Sequence, residues 1–244
     1  MKLLDKLLGR SEEKRPICSA IVPAAGSARR MGGENKMLLM LDGIPVLART
    51  LLALDGAQLV DEIVVATRSE DILLIGDLCK EYGIKKSVKI VCGGEDRTES
   101  VWKASLECRE DAAFYAVHDG ARPLADSAFI DNVIRYAYKT NAAAPAVPVK
   151  DTIKIAFDGQ VESTPDRATL FAVQTPQVFD AQLLSAALQS ARESGAAITD
   201  DCSAVERLGK VVYLTDGSYE NIKITTPEDV VLATAILKRR EGQL

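Results

Sequence analysis

Ile17-Cys18-Ser19-Ala20-Ile21-Val22-Pro23-Ala24-Ala25-Gly26-Ser27-Ala28-Arg29-Arg30-Met31-Gly32 is the stretch on which the reading of this chain turns. A β-branched apolar run stops at a proline, becomes a loop of small residues, and then delivers two arginines. This is the pattern of a buried strand feeding a turn whose backbone N–H groups can approach a ligand closely. Arginines in that turn suit an anion of high charge. On pattern alone two readings stay open, a phosphate-holding loop and a plain strand-to-helix turn. No G-x-x-x-x-G-K-[ST] occurs, and Ala28 stands where the dinucleotide fingerprint needs its second glycine, so neither of those nucleotide loops is present.

Working outward, strands and helices alternate. Glu62 to Thr67 is a short apolar run of the kind buried in parallel sheets, and a helix from about Glu70 to Tyr82 ends at Gly83. Val88 to Cys92 reads as the next strand and runs into Gly93-Gly94-Glu95-Asp96-Arg97. Thr98 is expected to cap a helix reaching Arg109. Phe114 to His118 reads as a strand, and Ser127 to Lys139 as a helix with Phe129, Ile130, Val133, Ile134 and Ala137 on one face. Upstream, Pro45 suits the first position of a helix whose apolar face runs from Val46 to Leu54. The fold expected is α/β, a Rossmann-like, mostly parallel twisted sheet with helices on both faces. Ligands bind such sheets beyond the carboxyl ends of the strands, where the loops after Val22, Cys92 and His118 all fall.

After Ala146 the pattern breaks. Thr152 to Phe157 alternates, Asp158-Gly159 is a hairpin turn, and Gln160 to Thr164 returns. This β-hairpin arm, at about 148–170, is either decoration or a grip on another subunit. The α/β pattern then resumes with a helix from Ala181 to Glu193, and Thr199-Asp200-Asp201 opens another. Val211 to Leu214 and Ile222 to Ile224 read as strands, and Thr226-Pro227-Glu228-Asp229 as a capping box for a last helix buried through Val230, Ala233, Thr234 and Leu237.

The 244 residues are 47% hydrophobic and 27% charged, the balance of an ordinary soluble protein. We expect residues 1–16 as an N-terminal extension, beginning in a short helix rather than a signal peptide, and 17–244 as one domain. A net charge of −5 argues against nucleic acid or a membrane as partner and leaves room for an anionic small molecule. Five cysteines without a C-x-x-C pair read as buried free thiols in a reducing cytoplasm, and one histidine rules out a multi-histidine metal site. Lys36 is by itself a surface lysine, raised only by the loop before it. Asp119, after His118, is either a structural turn or a group for Mg²⁺ or a substrate hydroxyl, with Arg122 facing an anion. Lys223, in an apolar strand, is either meeting an anion or guarding a sheet edge. Arg167 says nothing alone.

Taken together, Pro23-Ala24-Ala25-Gly26 through Arg30-Met31-Gly32 with Lys36, Gly93-Gly94-x-x-Arg97 with Ser100, and His118-Asp119-Gly120-Ala121-Arg122-Pro123 resemble one family. Asp151-Thr152, Asp166-Arg167, Thr175-Pro176-Gln177, Thr199-Asp200 and Asn221-Ile222-Lys223 extend the match in order over about 17–240. It is the 2-C-methyl-D-erythritol 4-phosphate cytidylyltransferase family of the non-mevalonate isoprenoid pathway. Ala28 replaces the usual glycine, Asn35-Lys36-Met37 the frequent Pro-Lys-Gln, and Glu95 the common aspartate.

The resemblance implies cytidylyl transfer from CTP to the polyol phosphate with Mg²⁺, in a cytoplasmic homodimer. It implies Arg30, Lys36, Lys223 and Arg167 as the catalytic cations. Ala24, Ala25, Gly26, Gly94, Glu95, Ser100 and Asp119 would take the nucleotide. Asp119, Arg122, Thr175, Thr199 and Lys223 would take the polyol phosphate, with Thr152 and Arg167 crossing from the neighbouring subunit's arm. The alternatives are a ribitol-5-phosphate cytidylyltransferase and a non-catalytic nucleotide-binding protein of the same fold. A fused downstream cyclase, known in some relatives, is not expected of a chain ending at Leu244.

Overall fold

The computed structural model describes residues 15–26 and 35–243, so the expected N-terminal helix lies outside the described residues. Strand β1 (Cys18–Pro23) is the centre of the sheet. It pairs in parallel with β4 (Glu62–Thr67) on one side and β6 (Phe114–Val117) on the other. Beyond β4 lies β5 (Ser87–Cys92), again parallel. The first chain crossover therefore goes one way from β1 and a later one goes the other way. That reversal opens a crevice at the carboxyl ends of β1 and β6. Two short pairs lie off this sheet, β2 (Met40–Leu41) with β3 (Ile44–Pro45), and β8 (Ile155–Phe157) with β9 (Gln160–Ser163).

The far half of the sheet contains β7 (Ala142–Pro148), β10 (Phe171–Val173), β11 (Gln177–Asp180) and β12 (Tyr213–Asp216). β11 runs antiparallel between β6 and β7, β10 is antiparallel to β7, and β12 is parallel to β7. The sheet is thus mostly parallel, with two reversed strands.

Side-chain alternation in the central strands feeds two cores. Ala20, Val22, Ile63 and Val65 pack against helices α1 (Val46–Gly56), α2 (Ile72–Glu81) and α4 (Ser127–Thr140), and α7 (Pro227–Arg240) closes the same side. Ile21, Val64, Ala66 and Val117 face α3 (Arg97–Ser105), α5 (Ala181–Ser194) and α6 (Asp201–Arg207) on the other. Helices on both faces were the expectation, and the structure has them. Leu47, Leu51 and Leu54 on α1 are fully buried, each contributing roughly 1.5–3 kcal/mol of transfer free energy. Asp126 caps α4 by accepting from the Phe129 N–H at 2.7 Å, and Asn141 closes it in the left-handed region, φ 65°. At α7 the Asp229 carboxylate accepts from the Thr226 N–H at 2.8 Å, the returning half of the expected capping box.

Several boundaries differ from expectation for visible reasons. Asp96, not Thr98, caps α3, accepting from the Glu99 N–H at 2.7 Å. The helix stops at Ser105 rather than Arg109, whose N–H is taken by the buried Glu62 carboxylate at 2.6 Å. Pro45 is the residue before α1, not its first. The strand expected at Val211 to Leu214 is displaced to Tyr213–Asp216. Ile222 to Ile224 is not a strand, since its link to the β6 loop is a single bond from the Ile224 N–H to the Ala121 carbonyl, 2.8 Å. Cys92 is exposed, while the other four free cysteines are buried as expected. The hairpin turns at Asp158 and Gly159, both with positive φ, the geometry that matches strand twist.

Candidate active site

Three loops leave the carboxyl ends of β1, β5 and β6 and surround a cavity of about 530 Å³. The β1 loop gives Ala25 and Gly26, the β5 loop Gly94 and Glu95 with Ser100 behind them, and the β6 loop Asp119. Lys36 and Lys223 complete the wall. Chain positions nearly two hundred residues apart thus meet in one crevice.

Small residues are needed in this wall. A Cβ on Gly93 would lie 2.9 Å from both the Ala25 Cβ and the Ser100 Oγ, and one on Gly94 would strike Glu99 at 2.4 Å. Ser100 shapes the loop directly, accepting from the Gly94 N–H at 3.0 Å and donating to the Asp96 carbonyl at 2.8 Å. Glu99 accepts from the Glu95 N–H at 3.0 Å, which fixes the next residue. Ala24 is tied to β4 through its N–H and the Ala66 carbonyl, 2.7 Å.

Asp119 is the electrostatic centre. Its carboxylate lies 2.9 Å from Lys223 Nζ, 3.2 Å from Arg97 Nε and 3.6 Å from Arg122 Nε, and the residue is only 7% exposed. Burial alone would push its carboxyl up. Arg97, then Lys223 and Arg122, outweigh burial and hold it well below the usual carboxylate range. Arg122 donates to the Asn221 carbonyl at 2.6 Å, and Asn221 donates to the Thr175 carbonyl at 3.0 Å. Thr175 Oγ1 accepts from the Asp119 N–H at 3.1 Å and lies 3.0 Å from His118 Nδ1. Burial pushes the His118 imidazolium down to about 4, so it is neutral at pH 7. Lys36 Nζ reaches the Ile224 carbonyl at 3.4 Å, next to Lys223.

Of the residues singled out from sequence, Ala24, Ala25, Gly26, Lys36, Gly94, Glu95, Ser100, Asp119, Arg122 and Lys223 gather at this crevice or directly behind its wall. Thr175 is buried beneath Asp119 rather than lining the cavity. Thr199 is exposed at the start of α6, its hydroxyl 3.5 Å from Ser203 Oγ, and does not line the cavity. Thr152 and Arg167 are exposed at the base of the arm, where Arg167 donates to the Lys150 carbonyl at 3.0 Å. Arg30 lies outside the described residues. Lys223 sits on a loop rather than in a strand.

Sequence reading missed the partner of Arg97. Its guanidinium is shared between Asp119 and Asp201, the latter 2.7 Å away and 1% exposed. Gln177 seats this second carboxylate, accepting from the Asp201 and Cys202 N–H groups at 3.0 and 3.1 Å while donating to Asp200 at 2.8 Å. Arg97 and the Thr199-Asp200 pair belonged to the recognised motifs, but nothing in their spacing says that Arg97 and Asp201 meet.

A parallel sheet whose reversal crevice gathers glycine loops and cations defines a nucleotide-handling α/β transferase. The family model described as 2-C-methyl-D-erythritol 4-phosphate cytidylyltransferase matches residues 18–239, and the chain belongs to that family. It is 46% identical over 229 residues to the 2-C-methyl-D-erythritol 4-phosphate cytidylyltransferase of Desulforamulus reducens, covering 91% of this chain and 96% of that protein. The Bacillus cytotoxicus protein of the same name is 43% identical over 218 residues, 89% of this chain and 96% of its own. Among solved structures, the 4-diphosphocytidyl-2C-methyl-D-erythritol synthase of Anaerococcus prevotii superposes with a TM-score of 0.83 at 32% identity, over 91% of this chain and 96% of that one.

Proposed function

We propose that this chain transfers the cytidylyl group of CTP to the phosphate of 2-C-methyl-D-erythritol 4-phosphate, giving 4-diphosphocytidyl-2-C-methyl-D-erythritol and pyrophosphate. The observation that carries this reading, beside family membership, is the meeting of Lys36 and Lys223 with the Gly94 and Asp119 loops around one cavity. An acceptor phosphate oxygen attacks the α-phosphorus of CTP, forming a new P–O bond. The bond to the bridging oxygen breaks in line, and its electron pair leaves with pyrophosphate. Two anions repel as they approach, so the chain's contribution is cationic clamping and alignment.

In this reading Arg30 and Lys36 bear on the α-phosphate and the leaving pyrophosphate, and Lys223 lies between the substrates. The small-residue loops at Ala24-Ala25-Gly26 and Gly94-Glu95, with Ser100, take the nucleoside. Asp119, Arg122 and Lys223 take the polyol phosphate. Thr175 acts from below by seating Asp119, and Thr199 would have to reach the polyol from the edge of the site. Neutral His118 is buried and holds no catalytic proton.

Mg²⁺ belongs in this reading to the nucleotide. Among the described residues no group of three or more His, Cys, Asp or Glu is placed to hold a metal, and Asp119 already faces three cations. An ion bound through the triphosphate with Asp119 within reach fits the habit of Mg²⁺, which keeps phosphate and water ligands beside one or two carboxylates. When bound it would neutralise phosphate charge.

The arm completes the proposal. Ile155, Phe157 and Val161 are exposed apolar residues on a hairpin that forms a sheet of its own. A homodimer gripping through this arm would bury them and carry Thr152 and Arg167 to the partner's crevice. Four buried free thiols support a cytoplasmic location, and no described helix is long and apolar enough to cross a membrane. Pyrophosphate release from CTP, measured with methylerythritol phosphate and with ribitol 5-phosphate, tests the assignment. Turnover with the first is the expected result. Turnover with ribitol 5-phosphate alone would move the chain to the sister activity, and CTP binding without turnover would make it a non-catalytic nucleotide binder.

A further inference from the structure

Lys223 has two demands on it. In the described state it is 2.9 Å from Asp119, yet the transfer reaction needs it at a phosphate. When it goes, the Asp119 carboxylate must stay ionised and in place without it. The groups left facing Asp119 are Arg122, 3.6 Å away, and Arg97, 3.2 Å away. Of these, Arg97 approaches more closely, and its other end is pinned by Asp201 at 2.7 Å.

Asp201 is built to pin. It is 1% exposed, and its backbone N–H is held by Gln177 at 3.0 Å. Its helix is capped by Asp200, which accepts from the Ser203 N–H at 2.9 Å and from Gln177 at 2.8 Å. A buried carboxylate on so constrained a backbone has little freedom, so it fixes the guanidinium that touches it. A planar guanidinium held at one edge presents its Nε in one direction.

We infer that Asp201 is a positioning residue for the transfer: it holds Arg97 in the orientation in which Nε meets Asp119, so that Asp119 stays anchored while Lys223 moves to the substrate phosphate. The kinetic part of this inference rests on the reaction proposed above; the orientation of Arg97 does not.

Two readouts test it separately. In ¹H–¹⁵N spectra of the full chain, the Arg97 Nε–H signal is assigned by its loss in Arg97→Lys. It should be protected from exchange in the wild type, retained in Asp201→Asn, which keeps an acceptor oxygen at the same place, and lost in Asp201→Ala. In turnover with CTP and methylerythritol phosphate, Asp201→Ala should lose about ten- to a hundredfold in kcat, with KM for CTP little changed. Asp201→Asn should recover most of that loss. An unchanged Arg97 signal in Asp201→Ala, or equal kinetic damage from Ala and Asn, overturns the inference. Should Asp201→Ala not fold, Arg97→Gln replaces it as background. There Asp201→Ser, which is too short to reach the guanidinium and should lower kcat in the otherwise wild-type chain, must have no further effect on kcat, and a further loss would show that Asp201 does not act through Arg97. A wild type without turnover sinks the proposed reaction and leaves the resonance measurement to decide the placement of Arg97.

Discussion

The crevice and the arm are opposite solutions to holding charged and apolar groups. At the crevice, Asp119 and Asp201 are both nearly buried; Arg97, Arg122 and Lys223 from three separate segments face Asp119, and Arg97 also faces Asp201, whose carboxyl burial pushes up. On the arm, every residue of β8 and β9 is exposed, and the hairpin pairs with no other strand among the described residues. The ion network of the crevice closes within one chain, because Asp119 and Asp201 meet their cations on neighbouring segments. The arm displays Phe157 and Ile155 to solvent, and among the described residues none covers them. An exposed apolar patch on a protruding hairpin is the mark of a surface that meets something.

If the crevice works by converging cations on a scaffold that folds without them, one cation removed there should do great damage without touching the fold. Lys36→Ala is expected to lose on the order of 10²–10³ in kcat with an unchanged circular dichroism spectrum, and near wild-type turnover would remove Lys36 from the machinery. Next in size is the packing that carries the loops. Leu47→Ala, in a fully buried position on α1, should cost about 2–5 kcal/mol by urea unfolding, and a smaller loss would mean that the core under the β6 loop relaxes freely.

The buried histidine gives a comparable effect with a pH signature. His118 is depressed from 6.5 to about 4 by burial. The unfolded chain therefore binds a proton over that range that the folded chain refuses. Its contribution is fully present above about pH 6.5 and is lost as pH falls toward 4, by about 3 kcal/mol. Unfolding midpoints measured across that window should show the slope, and His118→Gln should flatten it. Smallest for the chain itself is the arm. Phe157→Ser should change the stability of the single chain by less than about 0.5 kcal/mol, yet, if the proposed dimer forms through the arm, leave a monomer in sedimentation equilibrium where the wild type is a dimer. A large loss of stability instead would mean that the arm is packed in a way its exposure denies.

Legibility followed chemistry that is local. β1 and its loop were readable because an apolar run, a proline and a glycine sit side by side. The hairpin turn was readable because Asp158-Gly159 suits two positive φ angles. β7 was not: Ala142-Ala143-Ala144-Pro145 has poor strand propensity and is a strand because β11 and β10 pair with it in succession along one edge and β12 along the other. Ile222-Lys223-Ile224 looked like a strand because apolar residues flank a polar one. Those isoleucines instead pack under the β6 loop, and the segment makes no ladder. The Arg97–Asp201 pair was hidden for a different reason. A charge pair across the chain leaves no periodicity, and only the fold shows which arginine meets which carboxylate.

Arm and crevice are joined by a short ribbon. The chain leaves the arm through β10, passes Gln174 and Thr175, and enters β11 at Gln177. Gln174 is clasped by Ser218, Thr175 by Asp119 and Asn221, and Gln177 by the start of α6. Residues 174–177 thus serve both ends: they carry the chain out of the arm and hold the seats of Asp119 and Asp201, so the two regions share one stretch of backbone.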